Sequence, residues 1–234
     1  MQNYLITGIQ QVGVGTENMT ASWKWYADMF QIDIKILEDD TVAELMLPYT
    51  GNSPQKRHAC IAVNMQGGGG FEIWQYSQRK PQPVGFDIQI GDLGIFCAKI
   101  KSHNIAAYHD ELSQKYNRIS PITTDPRGIP NFYILDPFGN YFQVVEDNYV
   151  FIDENLYSGG IVGAIIGTTD IDKARTVYSD ILGYDTVLYD KSGVFSDWQF
   201  MRGGDQTYRR VLLGRSKPHQ GAFSELYGSG TIEL

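Results

Sequence analysis

Apolar residues recur along this chain with two periods, one typical of strands and one typical of helices, and the combination occurs three times. Each round opens with a strand, predicted at residues 9–14, 92–97 and 161–166. A helix follows, with Asn18 or Thr20 as the predicted cap in the first round and Asp170 in the third, and with a start at about Asn104 in the second. Further strands are predicted at residues 32–37, 42–47, 59–63 and 71–76, at 119–123, 131–135 and 141–145, and at 186–189, 198–201 and 210–213.

The repeat predicts an α+β fold built from βαβββ modules. A unit that recurs every few tens of residues indicates an array of one supersecondary structure. One helix for several antiparallel strands places the helices on one face of the sheet. A Pro-rich link at residues 80–83 and a second link at 148–160 divide the chain into modules at 1–80, 84–147 and 161–234.

The most informative stretch is the hairpin turn Asp-Pro-Phe-Gly-Asn at residues 136–140. Pro137 presets the φ of a turn, and Gly139 adopts a φ that other residues resist. On the strand that returns from this turn, Gln143 is the one polar side chain among apolar and aromatic neighbours. A function for Gln143 is therefore expected.

The strand faces opposite the apolar core positions carry a few polar side chains and several aromatic ones. The polar side chains at the centre are Gln11, Glu72, Asp92 and Gln143. The aromatic side chains that flank them are Trp74, Tyr76, Phe96 and Tyr141. A polar centre between aromatic walls is typical of a small-molecule pocket, so a small-molecule ligand is expected on this face.

Composition and charge argue against several partners. The 234 residues carry a net charge of −8 with scattered Lys and Arg, which disfavours binding to nucleic acid. No apolar run approaches the length of a membrane span and no secretory leader is recognisable, so a cytoplasmic protein with no membrane partner is expected. Cys60 and Cys97 lie in strand-like runs, where two buried thiols are favoured over a disulfide.

These features resemble the vicinal-oxygen-chelate superfamily, which includes glyoxalase I, extradiol dioxygenases and the bleomycin resistance proteins. The resemblance is carried by residues 9–14 and the following Trp25-Tyr26 helix, by 71–73, by 170–174 and above all by 135–143. It implies that two modules pair into one cupped sheet with the helices on its outer face. It also implies one glyoxalase-like domain at residues 1–147, with the third module as half of a second one.

Carried over by position, the resemblance implies a metal site formed by Gln11, Glu72, Asp92 and Gln143. A glyoxalase I-like set has Gln or His, Glu, His and Glu at these places. This chain therefore has Asp in place of the His and Gln in place of the last Glu. Four oxygen ligands favour Mg²⁺, Mn²⁺ or Ca²⁺ over Zn²⁺, Ni²⁺ or Fe²⁺. In the third module, Gly163 and Glu233 fall at the corresponding positions.

The resemblance implies a divalent-metal-dependent lyase or isomerase that acts on a small carbonyl or hydroxy-carbonyl compound. Glu72 is the preferred general base and Asp92 the runner-up, because the carboxamide of Gln143 cannot take a proton. The alternative is a metal-free protein of the bleomycin-resistance type, which would bind a planar ligand against the four aromatic residues.

A lone third module would leave a sheet edge exposed. We therefore expect a homodimer in which the third modules of two chains pair. The rival explanation is the loss of a fourth module.

Overall fold

The computed structural model describes residues 5–234, and the first module forms a four-stranded sheet of its own. Its elements are β1 (Gln11–Gly15), α1 (Met19–Phe30), β2 (Ile34–Ala43), β3 (Gln55–Val63) and β4 (Gly70–Tyr76). The strand order is β1-β4-β3-β2, with β1 parallel to β4 and the other pairs antiparallel. Asn18 caps α1 by accepting a hydrogen bond from the Ala21 N–H at 3.0 Å, as one of the two predicted caps.

The second and third modules together form one eight-stranded sheet that curls into a half-barrel. The second module consists of β5 (Gly94–Ser102), α2 (Ile105–Lys115), β6 (Thr123–Thr124), β7 (Pro130–Leu135) and β8 (Tyr141–Glu146). The third consists of β9 (Ser158–Gly167), α3 (Ile171–Thr176) with a π-helical turn (Val177–Ile181), β10 (Thr186–Gly193), β11 (Tyr208–Gly214), α4 (Ser224–Tyr227) and β12 (Thr231–Glu233). The predicted fold class of repeated βαβββ modules is confirmed.

The pairing of the modules differs from the prediction. The order of the large sheet is β10-β11-β12-β9-β5-β8-β7-β6, so β5 of the second module pairs antiparallel with β9 of the third. The prediction that the first and second modules share a cupped sheet is wrong in this respect. Residue alternation specifies which face of a strand is buried, but it does not specify which strand edges meet.

Two predicted strands are turns in the structure. The segment predicted as a strand at 42–47 leaves β2 after Ala43 and forms a 3₁₀ turn (Glu44–Tyr49) that contains Pro48. The segment predicted at 198–201 begins at the last residue of another 3₁₀ turn (Ser196–Trp198) and continues as a turn. Trp198 and Met201 are buried because this segment packs against the inner face of the large sheet. Their apolar character therefore reflects this packing and not the alternation of a strand.

The first module joins the second through their helix-covered faces. Tyr26, Met29 and Phe30 of α1 pack in one apolar cluster with residues from α2, β7 and β8. The rings of Phe30 and Phe142 lie 4.9 Å apart between their centres. The cluster also contains Phe71, Ile73, Phe142 and Val144, which alternate with Glu72 on β4 and with Gln143 on β8.

The predicted Asp-Pro-Phe-Gly-Asn turn is part of this contact. Oδ1 of the fully buried Asp136 accepts hydrogen bonds from the backbone N–H groups of Phe138 and Asn140 at 2.9 and 2.7 Å. Oδ2 accepts from the Tyr26 hydroxyl of α1 at 2.7 Å and from the Asn140 amide at 2.9 Å. Gly139 has a φ of +98°, which favours glycine. The turn therefore holds the first module against the second.

The structure also answers two expectations from the sequence, one on the thiols and one on membrane-spanning helices. Cys60 and Cys97 are both buried and free, which confirms the prediction of two thiols. Burial raises the pKa of the Cys60 thiol to about 11. In the part of the chain that the structure describes, no helix is both long and apolar enough to cross a membrane.

Replacing Tyr26 by Phe tests the contact between the modules. The variant keeps the ring but removes one hydrogen bond from a buried carboxylate. We therefore expect the free energy of unfolding, measured by urea denaturation, to fall by about 1–3 kcal/mol. Tyr49→Phe is the matched control, because Tyr49 is 81% exposed. Equal effects of the two substitutions would contradict the role assigned to this hydrogen bond.

Candidate functional site

The eight side chains predicted to form one site lie in three different places. Gln11, Glu72, Trp74 and Tyr76 belong to the sheet of the first module. Gln143, Phe96 and Tyr141 belong to the sheet shared by the second and third modules. Asp92 lies in the turn before β5, is exposed, and accepts a hydrogen bond from the Gln89 N–H at 2.8 Å. The structure does not bring Asp92 together with the other predicted metal ligands.

The first module brings Gln11 and Glu72 into contact. Both side chains lie opposite the helix-covered face, on the neighbouring parallel strands β1 and β4. The Gln11 amide N–H donates to Oε2 of Glu72 at 2.8 Å. Oε1 of Gln11 is buried and has no hydrogen-bond partner within residues 5–234. An unpaired buried oxygen beside a carboxylate is unfavourable unless a donor or a cation approaches it.

Aromatic side chains continue the same face beyond Glu72. Trp74 and Tyr76 follow it on β4 at alternate positions, and their ring centres lie 5.9 Å apart in an edge-to-face arrangement. The Arg57 guanidinium on β3 lies 4.5 Å from the centre of the Trp74 ring. The module thus presents the oxygen atoms of Gln11 and Glu72 beside an aromatic wall. Among the described residues, the first strand of this sheet, β1, has a strand partner on one side only.

The paired sheet carries a different arrangement around Gln143. Lys99 is opposite Gln143 on β5, and its ammonium donates to Oε1 of Gln143 at 2.7 Å. The same ammonium lies 2.5 Å from Oε2 of Glu233 on β12. The Gln143 amide N–H donates onward to Asn131 at 3.2 Å. Gln143 is therefore a hydrogen-bonded partner of a buried ammonium.

A second buried cation completes this cluster. The Arg210 side chain, fully buried, donates through Nε to Glu233 at 2.7 Å and through Nη1 to Asp197 at 2.8 and 3.0 Å. The Tyr189 hydroxyl also donates to Glu233, at 2.5 Å. Burial raises the pKa of the Glu233 carboxyl, but Lys99 and Arg210 outweigh burial and lower it to about 2. Two cations thus face two carboxyl groups in the paired cup, the inner face of the sheet around Lys99, Gln143, Arg210 and Glu233.

These contacts decide which side chains fit a divalent cation. In the paired cup, the Lys99 ammonium already contacts the Gln143 and Glu233 oxygens, so a second cation there would meet a buried positive charge. The donor set of the paired cup therefore does not fit a metal. Gln11 and Glu72 do fit one through their oxygen atoms, but they supply only part of a coordination shell. Within residues 5–234, no group of three or more His, Cys, Asp or Glu side chains is placed to hold a metal ion.

The paired cup is covered by the segment that the sequence predicts as a strand at 198–201. Trp198 lies over Arg210, with 3.9 Å between the guanidinium carbon and the ring centre. Three buried donors of this cup have no hydrogen-bond partner in the described chain, namely Arg210 Nη2, the Tyr133 hydroxyl and Trp198 Nε1. A cavity of about 440 Å³ borders Trp198 together with Ile165 and Tyr208.

The predicted aromatic residues Phe96 and Tyr141 lie at this same cup. Their rings stack with 5.2 Å between centres, and Phe200 of the covering segment contacts the Tyr141 ring edge-to-face. The four predicted pocket residues thus form two pairs, one pair on each sheet.

Sequence reasoning missed Lys99, Arg210 and Asp197. Lys99 carries a usable signal, because a lysine inside the strand-like run around Ile95 to Ile100 indicates a buried charge with a partner. Asp197 and Arg210 carry no such signal. They lie on a 3₁₀ turn and on β11, and only the tertiary fold brings these two segments into contact. Glu233 is recognisable from the module repeat, and the structure links it to Gln143 through the Lys99 ammonium.

Comparison with known proteins identifies the fold. No family model and no curated protein sequence matches this chain. Among solved structures, a glyoxalase I mutant from Zea mays superposes with a TM-score of 0.56 at 12% identity, covering 97% of this chain and 67% of that one. A candidate dioxygenase from Bacillus subtilis gives 0.57 at 15% identity, with 98% and 64% covered. The chain therefore has the fold of the vicinal-oxygen-chelate superfamily and spans about two thirds of the length of these relatives.

Replacing Lys99 by Met tests the buried charge cluster. Removing one partner leaves the Glu233 carboxylate with an incomplete set of counter-charges. We expect the free energy of unfolding to fall by about 3–5 kcal/mol in denaturant titrations. Lys56→Met is the control, because Lys56 pairs with Asp40 at 3.6 Å on the surface and such pairs contribute less than about 1 kcal/mol. A Lys99→Met protein as stable as the control variant would refute the ion pair.

Proposed function

We propose that the first module carries part of the active site of a metal-dependent lyase or isomerase of the vicinal-oxygen-chelate type. The substrate class is a small carbonyl or hydroxy-carbonyl compound with oxygens on adjacent carbons. The observation that supports this proposal is the contact of Gln11 with Glu72, which leaves a buried Gln11 oxygen unpaired beside a carboxylate. The fold is compatible with this chemistry, and the open face of the module is where a substrate would bind.

The two side chains have the chemistry of hard ligands. The carboxamide oxygen of Gln11 and the carboxylate of Glu72 would hold Mg²⁺, Mn²⁺ or Ca²⁺, which prefer oxygen ligands. When bound, such a cation supplies Lewis-acid stabilisation of negative charge on the substrate oxygens. Further ligands have to come from a module that faces the first one, because β1 is the edge of its sheet.

Glu72 is the proton acceptor in this proposal. The Gln11 amide holds Oε2 of Glu72, so Oε1 is the oxygen that takes a proton from the carbon next to the substrate carbonyl. Gln11 cannot serve as a base and instead keeps the carboxylate in position. Trp74 and Tyr76 form an apolar wall that limits the access of water to the reacting carbon. Asp92 has no part in this step, because it lies outside the sheet face.

Metal binding and proton exchange test the proposal together. We expect isothermal titration with Mn²⁺ to show binding to the native chain and a loss of at least about tenfold in affinity in Glu72→Gln, because the variant lacks the anionic ligand. Exchange of the α-proton of hydroxyacetone in heavy water, followed by NMR, is expected to be lost in the same variant. Glu44→Gln is the matched control, because Glu44 is exposed and lies outside the face. Unchanged Mn²⁺ affinity and exchange in Glu72→Gln would exclude this assignment.

A second candidate function is metal-free binding of a small ligand in the paired cup. It is favoured by the three unpaired buried donors, because a planar carboxylate or carbonyl compound offers the acceptors that they lack. A cavity of about 440 Å³, which is in the range of small-molecule sites, is lined by one of these three residues, Trp198. Lys99 then acts as a fixed internal counter-charge rather than as a catalytic group.

Benzoate, a planar carboxylate, is the probe for this second function. If benzoate enters the paired cup, tryptophan fluorescence is expected to change with a saturable dependence on its concentration. Trp198→Phe is expected to abolish that signal. Trp74→Phe is expected to keep it, because Trp74 lies on the other sheet. A signal that depends on Trp74 instead would place the ligand on the first module.

A further inference from the structure

The Arg210 guanidinium has an internal carboxylate partner that does not use its full set of donors. Its Nη1 donates to both oxygens of Asp197, at 2.8 and 3.0 Å. Its Nη2 is buried and has no hydrogen-bond partner within residues 5–234. The strongest arginine–carboxylate pairs have two parallel hydrogen bonds, one to each carboxylate oxygen from a different nitrogen. A carboxylate that reached Nη1 and Nη2 together would therefore satisfy a donor that Asp197 leaves unpaired.

Asp197 belongs to the covering segment, residues 194–207 between β10 and β11. Its 3₁₀ turn has backbone hydrogen bonds of its own. The Trp198 N–H donates to the Phe195 carbonyl at 3.1 Å, and the Met201 N–H donates to the Trp198 carbonyl at 2.9 Å. Both acceptors lie within the covering segment. Asp197 can therefore leave Arg210 together with its turn without breaking these bonds.

Charge balance in the paired cup specifies what can replace Asp197. Two buried cations, Lys99 and Arg210, face two buried carboxyl groups, Glu233 and Asp197. Removing one carboxylate without a replacement would leave a buried cation without its partner, which is strongly unfavourable. A ligand with one carboxylate restores the balance, whereas a neutral carbonyl compound does not. Burial raises the pKa of the Asp197 carboxyl, and the opposing effect of Arg210 does not cancel this rise.

The surroundings of Arg210 suit an aromatic body attached to that carboxylate. The Phe195 and Trp198 rings lie 4.6 and 3.9 Å from the guanidinium carbon. Both rings belong to an apolar cluster that also contains Ile165 and Tyr133. Trp198 lines the cavity of about 440 Å³ as well, together with Ile165. A movement of the covering segment would therefore change the access from this cavity to the guanidinium.

We propose that Arg210 is the carboxylate-binding group of the paired cup, and that Asp197 occupies it until a small aromatic monocarboxylate displaces it. This inference rests on the second candidate function, the binding of a small ligand in the paired cup. It adds the group that anchors the ligand and the internal contact that the ligand replaces. Asp197 then sets the affinity, because the apparent affinity is reduced by the fraction of molecules in which the guanidinium is free.

Replacing Asp197 by Asn tests the competition directly, with benzoate as the probe. The carboxamide keeps the size of the side chain but lacks the charge that competes for Arg210. We expect isothermal titration to show at least about tenfold tighter binding of benzoate to Asp197→Asn than to the native chain. Asp205→Asn is the matched control, because Asp205 is an exposed carboxylate on the same segment and accepts only from the neighbouring Gln206, at 3.1 Å. The control is expected to bind benzoate as the native chain does.

Benzamide, the neutral counterpart of benzoate, provides a measurement that needs no variant. On the native chain we expect benzoate to bind at least about tenfold more tightly than benzamide, because hydrogen bonds between charged groups are stronger than those to a neutral amide. Equal affinities for the two compounds would exclude Arg210 as a carboxylate anchor, whether or not Asp197→Asn folds.

The outcomes separate this inference from the function on which it rests. If Asp197→Asn and the native chain bind benzoate with equal affinity, Asp197 does not compete for the site and the inference is wrong, although the second candidate function stands. Binding to Asp197→Asn but not to the native chain supports the inference and counts against benzoate-like ligands for the native cup. Binding to neither chain overturns both.

Discussion

The edge of a β-strand carries N–H and C=O groups that have to be paired with another strand, covered or hydrated. The pairing of the edges of β5 and β9 is the contact on which the rest of the structure depends. Their antiparallel pairing joins the second and third modules into one curled sheet with an enclosed inner face. The first module is left outside this sheet and attaches through its helix, with the Tyr26–Asp136 hydrogen bond inside a large aromatic cluster. Within residues 5–234, β1 of this module consequently has a strand partner on one side only.

The inner face of the paired cup and the corresponding face of the first module differ in their charged side chains, although both are built from the same kind of module. In the paired cup, the Lys99 ammonium sits among oxygens of Gln143 and Glu233, and Arg210 adds a second buried cation. Burying these charges is costly unless each has a partner, and the cluster supplies those partners within the chain. In the first module, the oxygens of Gln11 and Glu72 face no internal cation among the described residues. The first face is therefore suited to receive an external cation, whereas the second already contains its positive charge.

The candidate site could be anticipated only in part. Gln11, Glu72 and Gln143 were recognisable because each is a polar residue at a fixed place in a repeated strand pattern, and the structure does place each on an inner sheet face. Asp92 was misassigned because the strand predicted at 92–97 begins only at Gly94 in the structure. Asp92 therefore lies in the preceding turn and not on a strand face. Asp197 and Arg210 meet only because a covering segment folds over the cup, and no local pattern records that contact.

The sequence alone determined the βαβββ modules, their helix caps, the Asp-Pro-Phe-Gly-Asn turn and the faces that are buried, because all of these follow from residue spacing and local backbone preference. The tertiary structure decided which modules share a sheet, since every module offers a first-strand edge with similar hydrogen-bonding groups and pairing depends on the whole surface that is buried. That choice separated eight predicted site residues into two faces and a turn. It also set Lys99, rather than a metal ligand, beside Gln143.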